Sequence, residues 1–339
     1  MRALLYPAFD RIENATVPEP PPPQPDEVTL RVAACGICGS ELEAFKTHSP
    51  RRPPPLVMGH EFCGTIETAG ANVTDWSPGQ RVVSNSLVPC GRCVRCERGD
   101  SHLCATRQIF GMNRPGAFAE KVNVPARCLL PWPEKLSAEE ACLAEPLANG
   151  IHVTHLTEHL PAGIALVIGA GPIGLFCQQA LQALRGARVV VADLSEARRA
   201  VARQLGAIRT IDAGSENIAA VMRELTSGEG ADLAVDAVGA AVTKRAALDA
   251  TRPGGGVVWI GLHENPLTFD SFGLTLPEKK IFGSYAATMA ELQLALDLMA
   301  SGQVDARTWT TRLPLAEGET AFRRALAAQG RDIKLVVCP

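Results

Sequence analysis

The 339-residue chain has no long run of acidic or basic residues. Its 33 Lys and Arg stand against 36 Asp and Glu, a formal charge of −3 at pH 7. Nucleic acid or a membrane surface recognised through a charged tract is therefore excluded, and a small-molecule partner is favoured. A signal-peptide core is also missing, because Asp10 and Arg11 interrupt Met1-Arg-Ala-Leu-Leu-Tyr-Pro before one can form, and the expected location is the cytoplasm. The longest apolar stretch, Ala162 to Cys177, is broken at its centre by Gly169, Gly171, Pro172 and Gly174. A membrane helix needs about 20 apolar residues in succession, so this stretch reads as a buried strand, turn and helix. No internal repeat is present, and low complexity is confined to Pro20 to Pro23 and Pro53 to Pro55, short stiff connections flanked by strand or motif.

The length exceeds what one hydrophobic core usually organises, which points to two domains. With 46% hydrophobic and 20% charged residues, the composition is that of an ordinary globular protein. Eleven cysteines is an odd number, and four of them crowd between Cys90 and Cys104. That pattern suits metal binding in a reducing compartment better than a disulfide framework.

From about residue 28 to 130, short β-rich runs such as Val28 to Val32 and Arg81 to Ser84 alternate with Pro- and Gly-rich turns, the pattern of a β-rich domain. After Pro161 the pattern becomes strand and helix in alternation. Strands are expected at Ile164 to Gly169, Ala187 to Asp193, Ala231 to Val238, Gly256 to Leu262 and Lys280 to Tyr285. This is the rhythm of an α/β, doubly wound parallel sheet. An amphipathic helix around Glu291 to Ser301 should stop at Gly302, and the tail, with Ile333-Lys-Leu-Val-Val, should return as a strand to the first domain. The expected divisions are about 1–155, containing a cysteine lobe at about 88–106, then 156–290, then a returning segment 291–339.

Gly169-Ala-Gly171-Pro172-Ile173-Gly174 follows the apolar strand Ala165-Leu-Val-Ile and opens a helix, the context that a GxGxxG motif needs to bind a dinucleotide. Gly169 would permit the tight turn, Gly171 the approach of backbone to pyrophosphate, and Gly174 close helix packing, with helix N–H groups meeting the anion. Asp193 ends the next strand, about 20 residues on, where a carboxylate reaches the ribose hydroxyls. NAD is the expected cofactor, since a 2′-phosphate would meet a like charge there. The plainer readings are a ligand-free Gly-rich turn and a helix-capping aspartate, although Ser195 is better placed to cap.

Cys90-x2-Cys93-x2-Cys96-x7-Cys104 can close a tetrahedral zinc site on one loop, with no ligand position left open. The spacing does not match the ferredoxin iron–sulfur run. Such a zinc would be structural, holding a loop too poor in apolar residues to fold alone. A second set is dispersed: Cys38 in Gly36-Ile-Cys38-Gly-Ser40-Glu41, His60 and Glu61 in Gly59-His-Glu-Phe, and Glu145 in Ala144-Glu-Pro-Leu. Taken singly these read as a core thiol, a turn histidine and a helix-capping acid.

In this order the motifs resemble the medium-chain zinc dehydrogenases, especially the polyol and threonine dehydrogenase branch, over nearly the whole chain. The resemblance implies a β-rich GroES-like catalytic domain followed by a Rossmann domain. It implies that Cys38, His60 and Glu145 surround a catalytic zinc, with Glu61 an exchangeable or neighbouring ligand, and that the cysteine lobe carries a structural zinc. Two zinc ions per chain, NAD and a homodimer or homotetramer are thus expected. Charge counting adds a division of labour: Zn²⁺ with one thiolate and one carboxylate is neutral, and adding Glu61 would leave −1 and acidify a bound alcohol less. Glu61 is expected to serve mainly when substrate oxygen is absent.

The implied reaction passes a hydride from a secondary alcohol to NAD⁺ in a cleft between the domains, with zinc as Lewis acid and Ser40 as first proton carrier. The family often has Asp where Glu41 stands and His where Glu43 stands, so the proton's route beyond Ser40 is open. L-threonine and simple alcohols compete with polyols as substrates, and an inactive NAD-binding sensor is the non-enzyme alternative. Lys46, His48, Arg51 and Arg52 lie between Cys38 and His60. They are either a solvated basic loop or the receptor of an anionic substrate group such as a phosphate.

Overall fold

The computed structural model describes residues 1–327 and 332–339. Met1–Glu145 and Thr288–Pro339 form one compact unit, and Pro146–Ala287 forms a second. No helix among the described residues is long and apolar enough to cross a membrane.

The first unit is organised by the strand Glu27–Gly36, buried at nearly every position. It is buried because it is paired on both sides: with Glu61–Ala69 along one edge, with Lys121–Pro125 along the first half of the other, and with Lys334–Cys338 beyond that. Val336 of the last strand stands opposite Gly36, so the tail does return to the β-rich domain. Its sheet runs in the order Leu129–Pro131, Arg81–Ser84, Glu61–Ala69, Glu27–Gly36, Lys334–Cys338, Thr310–Pro314. A hairpin of Arg2–Ala8 and Arg11–Thr16, extended by Leu56–Val57, forms a separate small sheet. The β-rich region therefore starts well before residue 28, which the sparse apolar pattern of Arg11-Ile-Glu-Asn-Ala-Thr concealed. The core contains the fully buried rings of Tyr6, Phe62, Phe110, Phe118 and Phe322, each contributing about 1.5–3 kcal/mol by leaving water.

In the second unit all five residues of Ile164–Ile168 are buried, as a strand covered on both faces requires. Parallel neighbours flank it, Arg188–Asp193 on one side and Ala231–Asp236 on the other. The order across the sheet is Arg209–Asp212, Arg188–Asp193, Ile164–Ile168, Ala231–Asp236, Thr251–Trp259, Lys280–Gly283. This is the doubly wound order, reversing direction beside the first strand. Arg209–Asp212 escaped the sequence reading because four residues at a sheet edge, Arg-Thr-Ile-Asp, carry too little apolar pattern. The helix Met289–Ala300 belongs to the first unit. Thr288 and Glu291 form its capping box, and Gly302 follows at φ +78°, where a residue without Cβ ends a helix at low cost.

Candidate zinc and dinucleotide sites

Strand register builds the first site. Gly36 stands opposite Glu61, and the chain leaves Gly36 through Ile37 and Cys38 into the short helix Gly39–Lys46. The sulfur of Cys38, a nitrogen of His60 and a carboxylate oxygen of Glu61 come within 4.8 Å of one another. His60 and Glu61 are buried, while Cys38 is half-buried. Glu145 lies outside this tightest set, at the start of the helix Ala144–Leu156. It is nonetheless part of the same electrostatic neighbourhood. Burial pushes its carboxyl above the ordinary value, His60 opposes that shift, Glu61 adds to it, and a hydrogen bond with the Ser86 side chain and the Lys334 charge oppose it.

Glu41 organises the Cys38 and His60 segments, a role the sequence did not disclose. It is fully buried. Its Oε1 faces His60 Nδ1 at 2.9 Å and accepts from Gly59 N at 2.8 Å, while Oε2 accepts from Cys38 N at 3.1 Å. One carboxylate thus ties together the backbones of both ligand segments. Because a carboxylate only accepts, Nδ1 carries the proton of that contact and Nε2 is turned to the Cys38 side. Burial alone would lower the His60 pKa, but the Glu41 and Cys38 charges and hydrogen bonds to both hold it well above its ordinary value. A thiolate, an imidazole oriented by a carboxylate, and nearby carboxylates are a donor set suited to zinc.

Lys334 is the second residue missed. It is 2% exposed, ion-paired with Glu61 Oε2, and its Nζ also donates to Ile37 O at 2.8 Å. Burial alone would lower its pKa, but Glu61 and Cys38 raise it, so the ammonium stays charged. Glycine at position 36 makes room for the pair: a Cβ there would stand 2.1 Å from Glu61 Oε2 and 3.0 Å from Lys334 Cε. The available signal was a lysine inside the apolar run Ile333-Lys-Leu-Val-Val.

Ser40 is exposed and donates to Cys38 Sγ at 3.4 Å. The basic segment near it divides. Arg52 is 5% exposed and bonded to Ser40 and to Gly111 O, and His48 Nε2 meets Asp10 at 2.8 Å. Lys46 and Arg51 are exposed. Arg52 is therefore engaged inside the fold and is not a free receptor for an anionic substrate.

In the cysteine lobe the four sulfurs of Cys90, Cys93, Cys96 and Cys104 lie within 4.8 Å of one another. Cys90 and Cys96 are 3.9 Å apart and Cys93 and Cys96 3.5 Å. Disulfide sulfurs would be about 2.05 Å apart. Sulfurs about 2.3 Å from a tetrahedral zinc stand roughly 3.8 Å from one another, so the spacing is that of a thiolate zinc site. A backbone hydrogen bond from Cys90 brings the Cys104 thiol down to about 6, whereas burial and a hydrogen bond with Cys93 raise Cys96 to about 11. Val94 and Leu103 are exposed, so apolar burial does little for this loop.

In the second unit Gly169 has φ +96°, the left-handed region that favours glycine, and a Cβ on Gly174 would stand 1.7 Å from Gly169 O. Added bulk at Gly171 meets nothing within 4 Å. Gly171 is the N-cap of the helix Pro172–Arg185 and supplies no side-chain cap, with Pro172 and Ile173 opening the first turn. The first N–H groups are thus without a side-chain cap, the condition under which a helix start can bind an anion. Asp193 accepts from Ala170 N at 2.7 Å and Ser195 N at 2.8 Å, while the Ser195 side chain caps the next helix. Asp193 consequently braces the glycine loop from the neighbouring strand.

Known proteins resemble this chain over nearly its whole length. Residues 24–134 match the family model described as alcohol dehydrogenase GroES-like domain, and 172–301 match that described as zinc-binding dehydrogenase. The L-threonine 3-dehydrogenase of Bacillus subtilis (strain 168) is 33% identical over 100% of this chain and 99% of its own. The D-arabitol-phosphate dehydrogenase of Enterococcus avium is 32% identical over 98% and 95%. A crystal structure from Sinorhizobium meliloti 1021, described as a zinc-binding dehydrogenase bound to NADP, superposes with a TM-score of 0.89 at 29% identity, covering 100% and 99% of the two chains. The chain belongs to the medium-chain zinc-dependent dehydrogenase family, in its polyol and threonine dehydrogenase branch.

Proposed function

We propose that the protein oxidises a secondary alcohol of the polyol type to the ketone, with NAD⁺ as hydride acceptor. One observation carries the reading most directly: the Ser40 hydroxyl lies 3.4 Å from Cys38 Sγ, beside the buried Cys38, His60 and Glu61 cluster. Cys38, His60 and Glu145 would hold the catalytic zinc, and Cys90, Cys93, Cys96 and Cys104 the structural one. Zinc at the first site supplies Lewis acidity that makes an alcohol proton easy to remove near neutral pH.

The remaining work falls to the chain's own groups. Ser40 takes the alcohol proton as it releases its own to solvent, having both acceptor and donor capacity and an exposed position. Glu41 holds His60 in one orientation, and Lys334 neutralises Glu61 as its ion-pair partner. Gly171 and the following helix start would hold the pyrophosphate, and Asp193 the ribose hydroxyls. Each Asp193 oxygen accepts one backbone N–H and retains acceptor capacity for a hydroxyl. A 2′-phosphate would face that negative charge, which supports NAD in this chain although a neighbour of the same fold was solved with NADP.

An uncharged polyol is favoured over its phosphate because Arg52, the buried cation of the loop between Cys38 and His60, has all three of its nitrogens donating within the fold. L-threonine is the second reading, carried by the Bacillus subtilis relative. Turnover of alcohols, polyols, polyol phosphates and L-threonine with NAD⁺ separates them.

A further inference from the structure

The geometry points to Arg52 as a positioning residue that fixes the Ser40 hydroxyl, an inference that rests on the dehydrogenase reading above. In sequence Arg52 looks like part of a solvated basic loop, yet its side chain is withdrawn into the fold. Burying a guanidinium is costly unless its donors are matched. Three are: Nε donates to Gly111 O at 3.1 Å, Nη1 to Ser40 O at 2.7 Å and Nη2 to Ser40 Oγ at 3.2 Å. Gly111 O anchors the planar fork, and the fork grips both the backbone and the hydroxyl of one residue. Rotation of Ser40 about its Cα–Cβ bond breaks the Nη2 contact, so Arg52 selects a single rotamer.

That grip also determines what the hydroxyl can do. A serine oxygen has one donor and two acceptor sites, and Arg52 fills one acceptor. The hydroxyl's own proton points to Cys38 Sγ, 3.4 Å away. One acceptor remains for the alcohol proton, and as that proton arrives the original O–H turns from Cys38 Sγ and gives its proton to solvent, to which Ser40 is exposed. Arg52 cannot receive that proton, since a guanidinium remains protonated. It acts through Ser40.

The test is a double-mutant cycle in the full-length, zinc-loaded protein: Ser40→Ala, Arg52→Met and the double variant, with Arg52→Lys as the conservative change. Arg52→Met is expected to lower kcat by roughly tenfold to a hundredfold, part of the about 10²–10⁴-fold that positioned proton transfer supplies, with KM moving less than about threefold. Arg52→Lys should recover part of the loss, and the double variant should be no slower than Ser40→Ala, because residues acting as one unit are non-additive. Additive losses, or an unchanged kcat in Arg52→Met, overturn the inference.

A second readout does not need turnover. In Co²⁺-substituted protein, Arg52→Met and Ser40→Ala should shift the thiolate-to-metal absorption alike, since each disturbs the hydroxyl at Cys38 Sγ. The four-cysteine lobe contributes equally to all variants and cancels in the difference spectrum. A shift in Ser40→Ala without one in Arg52→Met overturns the inference. If no alcohol is oxidised, the dehydrogenase reading fails while this spectrum still decides the role of Arg52. Should Arg52→Met not fold, the cycle is run with Arg52→Lys, whose ammonium replaces a two-point grip by one, and non-additivity is again the expected result.

Discussion

Lys334 and Glu61 form an ion pair that is 1% exposed on both sides and lies over the bare Cα of Gly36. With Cys38 and Glu145 as its anionic ligands a zinc ion would be neutral, and Glu61 would make the site negative. Lys334 cancels the Glu61 charge as its ion-pair partner, so Glu61 is held without needing a metal. Lys334→Met should free the carboxylate to bind zinc as an extra anionic ligand. Zinc content would be kept, kcat would fall by about tenfold or more, and stability would fall by about 3–5 kcal/mol, as when one partner of a buried pair is removed. Glu61→Gln placed on that background should restore part of the stability. Equal denaturant midpoints for the single and double variants would show that the pair does not act this way.

Metal analysis addresses the two donor sets. A fully metallated preparation should contain two zinc ions per chain, and a chelator should remove activity before it lowers the melting temperature, because the site that admits substrate is the open one. Cys104→Ser should reduce the count to one and lower the melting temperature, since the lobe relies on its metal for folding. A wild-type count of one zinc contradicts the assignment.

Asp193 sets the cofactor expectation. The wild type should show higher kcat/KM with NAD⁺ than with NADP⁺, and Asp193→Ala should narrow the ratio by removing repulsion of the 2′-phosphate. Because Asp193 also accepts from Ala170 N and Ser195 N, the same change should weaken binding of both cofactors. A wild-type preference for NADP⁺ would refute the role given to this carboxylate.

Self-association is expected through the second unit. Among the described residues Lys280–Gly283 is an edge strand of its sheet, and Leu262, Phe272 and Leu276 are exposed in the segment that leads into it from Thr251–Trp259. An unpaired edge and apolar side chains left in water favour a symmetric copy. Light scattering should give a dimer or tetramer, and Phe272→Glu with Leu276→Glu should shift it toward monomer. A wild-type monomer at working concentration would count against the surface.

Legibility in the sequence followed distance along the chain. The glycine loop and the cysteine lobe could be read directly, because Gly169, Gly171 and Gly174, or Cys90 to Cys104, carry their own context within a few residues. The parallel strands could be read because burial on both faces makes them uniformly apolar, whereas the polar edge strand Arg209–Asp212 could not. Cys38, His60 and Glu145 could be grouped only through family resemblance, since nothing in their spacing joins them. Glu41, Lys334 and Arg52 were invisible in their roles: each is an ordinary charged residue whose meaning comes from a partner brought close by the fold. Glu41 needs His60, Lys334 needs Glu61 from the other end of the chain, and Arg52 needs Gly111.

Alcohol oxidation at the proposed Cys38, His60 and Glu145 site is read by steady-state reduction of NAD⁺. The panel is simple secondary alcohols, polyols, polyol phosphates and L-threonine, read at the nicotinamide absorbance, with Cys38→Ser as control. The highest kcat/KM is expected for a free polyol, with less than about a tenfold change on phosphorylation and a loss of about 10²-fold or more in Cys38→Ser. No NAD⁺ reduction with any member of the panel by the zinc-replete wild type, or equal rates in Cys38→Ser, would contradict it.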